Sequence, residues 1–171
     1  MHTDMYNEID DQFALTYLMK SLDLFDLEAI TIAPFSKSGY ADTLTIEEGT
    51  EKSYEVTLNL LNMLNKSEYK NLVYKGATKY FKDSKESNQA VEKIIEIANK
   101  NDKTTILAIG AITNVALAIE KAPEIINKIK IVWLGGNTFL TKDNSEFNFR
   151  IKYFLNCWYV LSKIKFTIIF S

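Results

Sequence analysis

Apolar and polar positions alternate along this chain with two periods in turn, near 3.6 and near 2. That alternation of helical and extended stretches predicts a mostly parallel sheet flanked by helices, an α/β fold. Residues from about Asp10 to Leu22 read as a helix, with Phe13, Ala14, Leu15, Tyr17 and Leu18 as its apolar side. Leu27 to Ala33 is a β-rich run ended by Pro34, and Ser36 to Glu48 has no period and reads as a loop. Glu51 to Asn65 is a helix with Tyr54, Leu58, Leu61 and Leu64 on one face. Leu72-Val73-Tyr74 is a short strand stopped at Lys75-Gly76. Asn88 to Lys100 is a helix burying Val91, Ile94, Ile95 and Ala98. Thr104 to Ile109 is a strand, Thr113 to Lys121 a small-residue helix, Pro123 opens another short helix, and Ile129 to Leu134 is a last clear strand. No internal repeat or linker divides the chain.

Length and composition narrow the class. At 171 residues the chain holds one domain with a sizeable core. With 47% apolar and 25% charged residues and two prolines, it has the composition of a folded protein. A net charge of −2 leaves no basic footprint, which argues against a nucleic-acid partner. The one cysteine, Cys157, excludes an internal disulfide and fits a cytoplasmic location. Tyr153 to Ser162, the longest uncharged run of the tail, is too short to span a bilayer, so no membrane partner is expected.

The candidate chemistry sits at the beginning. Asp4, Glu8, Asp10 and Asp11 fall within eight residues, just where the first helix starts. Acids in a first turn favour the helix dipole, which accounts for Asp10 or Asp11. Clustered carboxylates on one loop and one helix start also suit Ca²⁺ or Mg²⁺. On spacing alone, an acidic cap and a metal or sugar site both remain open. His2 reads as a frayed terminal residue rather than a catalyst, and Lys85 and Glu86 as a solvated surface.

Thr3-Asp4-Met5-Tyr6-Asn7-Glu8-Ile9-Asp10-Asp11-Gln12-Phe13-Ala14-Leu15 resembles the N-terminal signature of the inosine–uridine preferring nucleoside hydrolase family, in the branch with Asn-Glu inside the loop. Asp4 matches the second acid of that family's Asp-x-Asp, while His2 stands in place of the first. The likeness continues through Ala29 to Phe35, Glu51 to Tyr54, Val73-Tyr74-Lys75-Gly76, Ile106 to Leu117, Ile131 to Asn137, and Glu146-Phe147-Asn148. It covers about residues 1–150 and implies a Rossmann-like nucleoside hydrolase core, incomplete here. By that resemblance Ca²⁺ is the cofactor, held by Asp4, Asp11 and the backbone carbonyl of Ile109. Asp4 is also the general base, Asp10 holds a ribose hydroxyl, and Asn137, Glu146 and Asn148 bind the sugar. The implied activity is hydrolysis of the N-glycosidic bond of ribonucleosides to base and ribose, with homo-oligomerisation left open.

Plain alternatives stand beside several of these residues. Thr113-Asn114 could begin a helix, Gly135-Gly136 could be a strand exit, and Asn137 could close a turn. Past Arg150 the resemblance stops. The family continues with a further calcium-binding Asp and, in many members, a His that assists the leaving base, and neither has a counterpart here. The expectation is a chain truncated at both ends, with residues 151–171 an apolar tail foreign to the fold. An inactive fragment that at most binds metal or sugar is the alternative function.

Overall fold

The computed structural model describes residues 1–37, 43–83, 85–135, 148 and 166–169. Among these, six strands form one all-parallel sheet: β1 (His2–Thr3), β2 (Ile30–Ile32), β3 (Val73–Tyr74), β4 (Thr104–Ala108), β5 (Ile129–Leu134) and β6 (Phe166–Ile169). Their spatial order is β3-β2-β1-β4-β5-β6. The chain thus winds from β1 outward through β2 to β3, then returns to β4 on the other side of β1. This is the doubly wound arrangement, and the α/β expectation holds.

Four α-helices make the crossovers: α1 (Ile9–Lys20), α2 (Ile46–Met63), α3 (Gln89–Lys100) and α4 (Thr113–Lys121). Parallel neighbours need such crossovers, and their right-handedness puts the helices of the two halves on opposite faces. Two separate apolar clusters reflect this. Met5, Leu15, Met19, Ile30, Ile32, Leu61 and Val73 form one, around α1, α2 and β2. The other joins α3 and α4 to β4 and β5 through Val91, Ile94, Val115, Leu117, Ile106, Ile131 and Trp133.

Most element boundaries follow the sequence pattern, with three corrections. The helix expected from Glu51 begins at Ile46, because Thr45 and Glu48 form a reciprocal capping box. On α1 the buried stripe is Asp11, Leu15, Leu18 and Met19, while Phe13 and Tyr17 are 69% and 73% exposed. Asp11 turned inward sets this rotation, since positions four, seven and eight further on share its face. His2 is not frayed: it is fully buried in β1, the strand at the centre of the sheet. Residues 166–169 of the tail pair with β5 from Ile131↔Phe166 to Leu134↔Ile169. No helix among the described residues is long and apolar enough to cross a membrane.

Candidate active site

The sheet reverses its winding between β1 and β4, so the crevice beyond the carboxyl ends of these two strands is the natural ligand site of such a fold. Asp4 is the first residue after β1, and Ile109-Gly110 follow β4. The strands are locked together there, because the Ile109 N–H donates to the His2 carbonyl at 2.8 Å and the Ala33 N–H to the Thr3 carbonyl at 2.7 Å. Asp4 therefore stands at the point of reversal with its carboxylate buried.

Gly110 is what makes room for it. A Cβ on Gly110 would lie 2.6 Å from Asp4 Oδ1 and 2.9 Å from the Ala33 side chain, so no other residue leaves the carboxylate where it is. The loop after Asp4 is tied down as well: the Asn7 N–H donates to the Asp4 carbonyl at 2.7 Å, and the Tyr6 N–H to Ser53 Oγ at 3.1 Å. Even so, Asp4 Oδ2 is buried with no hydrogen-bond partner among the described residues.

Asp11 enters from the first turn of α1. The helix N-cap is Glu8, whose side chain makes no capping bond, so Asp10 and Asp11 lie inside the first turn and not at the cap. Asp11 is buried and accepts a hydrogen bond from the Thr3 hydroxyl, whereas Asp10 beside it is exposed. Burial, then the charge of Asp11, raises the Asp4 carboxyl well above the usual carboxylate range. Burial also raises Asp11 to about 7, against the opposing effect of the Thr3 hydrogen bond. Two desolvated acids side by side favour either a proton or a cation between them.

His2 lies under this pair but takes no part in it. Its Nε2 bonds the Ala111 carbonyl at 2.9 Å, so that nitrogen must carry the proton, and Nδ1 accepts from the Thr31 hydroxyl at 2.9 Å. Burial lowers its pKa to about 4, leaving a neutral spacer between β1, β2 and the turn after β4.

The residues implied by resemblance divide into three groups. Asp4, Asp11 and Ile109 come together at the ends of β1 and β4. Asn148 joins the same rim, its Nδ2 donating to the carbonyls of Ile109 at 3.0 Å and Leu134 at 3.1 Å. Asp10 faces outward one residue away from Asp11. Asn137 and Glu146 lie outside the described residues. Among the described residues no group of three His, Cys, Asp or Glu side chains encloses a common point. The hard oxygens on offer are two carboxylates and a carbonyl.

Asn114 stands in the first turn of α4, as the helix start read from its sequence has it, and its side chain has a further role. It is buried within α4, where Nδ2 donates to the Ile32 carbonyl at 2.8 Å and Oδ1 accepts from the Ala77 N–H at 2.9 Å. It thereby joins the end of β2 to the turn after β3. Gly76 is part of the same knot, since a Cβ there would meet the Ile32 carbonyl at 1.8 Å. Sequence reasoning missed Thr3 and Ser53 as supports. Thr3 could have been suspected from its place one residue before Asp4, and Ser53 only from lying within the Glu51 to Tyr54 stretch of the resemblance.

Comparison with known proteins places these features. The sequence profile of the inosine-uridine preferring nucleoside hydrolase family matches residues 1–151. A plant nucleoside hydrolase superposes with a TM-score of 0.69 at 19% identity, covering 98% of this chain and 57% of that one. The purine-preferring ribonucleoside hydrolase from Gardnerella vaginalis gives 0.55 at 25% identity, over 79% of this chain and 47% of that one. An inosine-guanosine nucleoside hydrolase gives 0.59 at 19% identity, over 80% and 48%. The chain spans about half the length of these structures.

Proposed function

The chain belongs to the inosine-uridine preferring nucleoside hydrolase family, and from that premise we propose that its crevice hydrolyses the N-glycosidic bond of ribonucleosides. The observation that carries this reading is Asp4: a carboxylate held at the reversal of the sheet, with one oxygen buried and without a partner among the described residues. A group so placed costs free energy unless a ligand completes it.

Asp4, Asp11 and the Ile109 carbonyl fit a hard dication such as Ca²⁺, because all three are oxygen donors and the two acids repel one another without a cation. When bound, Ca²⁺ supplies a polarised water of lowered pKa. Asp4 would take up the proton given up by the attacking water. Thr3 keeps Asp11 in place through its hydroxyl. The exposed Asp10 is free to take a ribose hydroxyl and to favour positive charge on the sugar as the bond to the base breaks. Asn137, Glu146 and Asn148 would orient the remaining hydroxyls for attack.

A second reading, a fragment that binds metal or sugar without turnover, is favoured by the chain's spanning about half the length of the matched structures. Release of free base and ribose from inosine and uridine, with Ca²⁺ present, separates the two. Turnover abolished by Asp4→Asn supports the hydrolase. Ca²⁺ binding by calorimetry with no product would leave the second reading standing.

A further inference from the structure

His2 touches neither acid, yet it holds the turn beside them at both ends. Its main-chain carbonyl accepts from the Ile109 N–H at 2.8 Å, and its ring Nε2 donates to the Ala111 carbonyl at 2.9 Å. Between these two residues lies Gly110, whose carbonyl accepts from the Trp133 indole N–H at 3.0 Å. A Cβ on Gly110 would lie 2.6 Å from Asp4 Oδ1, so the turn and the carboxylate cannot shift independently.

Glycine has the widest backbone freedom of any residue, so a turn built on Gly110 keeps one shape only if its neighbours impose it. With the Ile109 N–H and the Gly110 and Ala111 carbonyls all taken, the peptide joining Ile109 to Gly110 has little freedom left. Its carbonyl is the one offered at the rim of the crevice. It accepts from Asn148 Nδ2 at 3.0 Å, and its second lone pair can meet a cation.

The ring is fitted to this hold by its other partner. His2 is fully buried, and the Thr31 hydroxyl lies 2.9 Å from Nδ1. A carbonyl can only accept, so Nε2 carries the ring proton and Nδ1 takes the hydroxyl proton of Thr31. Thr31, on β2, thereby fixes the tautomer that can donate to Ala111. The hold runs from β2 through β1 to the turn after β4.

We propose that His2 is a positioning residue for the candidate metal site: through Ala111 it fixes the turn 109–111, so that the Ile109 carbonyl is aimed at the cation shared by Asp4 and Asp11. The inference rests on the reading of those three oxygen donors as a Ca²⁺ site. Taking away the ring's donor loosens the turn without removing any ligand, and Ca²⁺ then binds more weakly although both acids remain.

Two side-chain amides that differ by one methylene test this. His2→Gln reaches as far as Nε2 and keeps a donor for Ala111, whereas His2→Asn reaches only as far as Nδ1 and keeps the Thr31 bond alone. Calorimetry on the full chain should give a Ca²⁺ affinity within about threefold of the unmodified protein for His2→Gln and about tenfold lower for His2→Asn, the scale of supports behind a metal ligand. Val73→Ala, in β3 two strands from β1, is a destabilised control whose Ca²⁺ affinity should not change. In the metal-free protein, nitrogen NMR should find the His2 proton on Nε2, and the Ile109 amide should exchange faster in His2→Asn than in His2→Gln. Equal Ca²⁺ affinities for the two amides, a loss in Val73→Ala as large as in His2→Asn, or a ring proton on Nδ1 would each overturn the part given to His2 alone. No Ca²⁺ binding by the unmodified chain would overturn it together with the reading it rests on.

Discussion

Asp11→Asn should make the metal-free protein more stable at neutral pH and less able to bind Ca²⁺. The carboxyl of Asp11 is raised from 3.8 to about 7, chiefly by burial, with Asp10 and Glu8 adding to it. Between those values the native state holds a proton that the unfolded chain has given up. Stability therefore falls as pH rises from about 4 to about 7, and the full cost is present above that. The displacement corresponds to at most about 4 kcal/mol, at about 1.4 kcal/mol per pH unit. Asparagine keeps an oxygen for the Thr3 hydroxyl and carries no charge beside Asp4. A gain of about 2 kcal/mol at pH 8 is expected, or roughly 4–8 °C in melting temperature for a chain of this size, vanishing near pH 4. Urea unfolding followed by circular dichroism in EDTA, at pH 4 to 8, reads this directly. Adding millimolar Ca²⁺ should then stabilise the unmodified protein and leave the variant unchanged. Parallel stability curves for the two proteins would refute the argument that Asp11 is a strained acid, and an equal Ca²⁺ response would remove it from the metal site.

The remaining predictions concern the frame around the site. Gly76→Ala brings a Cβ to 1.8 Å from the Ile32 carbonyl and 2.3 Å from Asn114 Nδ2; a loss of about 3 kcal/mol or more in denaturant unfolding is expected, at the upper end of overpacking costs. Asn114→Ala leaves the Ile32 carbonyl and Ala77 N–H buried without their partner; about 3 kcal/mol should be lost in the same assay, with the two variants far from additive. Deleting residues 151–171 is expected to lower the melting temperature by less than about 4 °C, because the described members of both core clusters lie between Met1 and Trp133. A fall of more than about 10 °C would make the tail an integral element, with β6 as its anchor.

Sequence periodicity found the four α-helices and the strands β2 to β5, but not β1 or β6, and it misjudged which way one helix faces. α1 offers apolar residues on nearly every side, Ile9, Phe13, Leu15, Tyr17, Leu18 and Met19 among them, so no apolar stripe selects its rotation. The polar Asp11 selects it, by being drawn inward to Thr3, and a pattern of hydrophobicity is blind to that. The late start given to α2 has a different cause. Gly49 and the β-branched Ile46 and Thr50 are weak helix formers, so propensity hid a capping box that the spacing of Thr45 and Glu48 spells out. His2 was misjudged because two residues cannot show a period. Its burial comes from β2 and β4, which the chain reaches about 30 and 100 residues later.

The same distinction explains why the acids could be named from the sequence while their chemistry could not. Asp4 and Asp11 belong to one short motif, and their place at a strand end and a helix start is local information. What turns them into a site is not local. Asp4 is buried beside Gly110, where an added Cβ would come to 2.6 Å from its Oδ1, and Gly110 is there because β4 has come back across the sheet to lie beside β1. Asn114 and Gly76 hold the return path in place from β2 and the turn after β3. Placing β4 there takes three crossovers and a full reversal of direction, and only then does one carboxylate oxygen lack a partner among the described residues. The acidity of the site is thus written in residues 4–11, but the burial of its carboxylates is written in the winding order of the sheet.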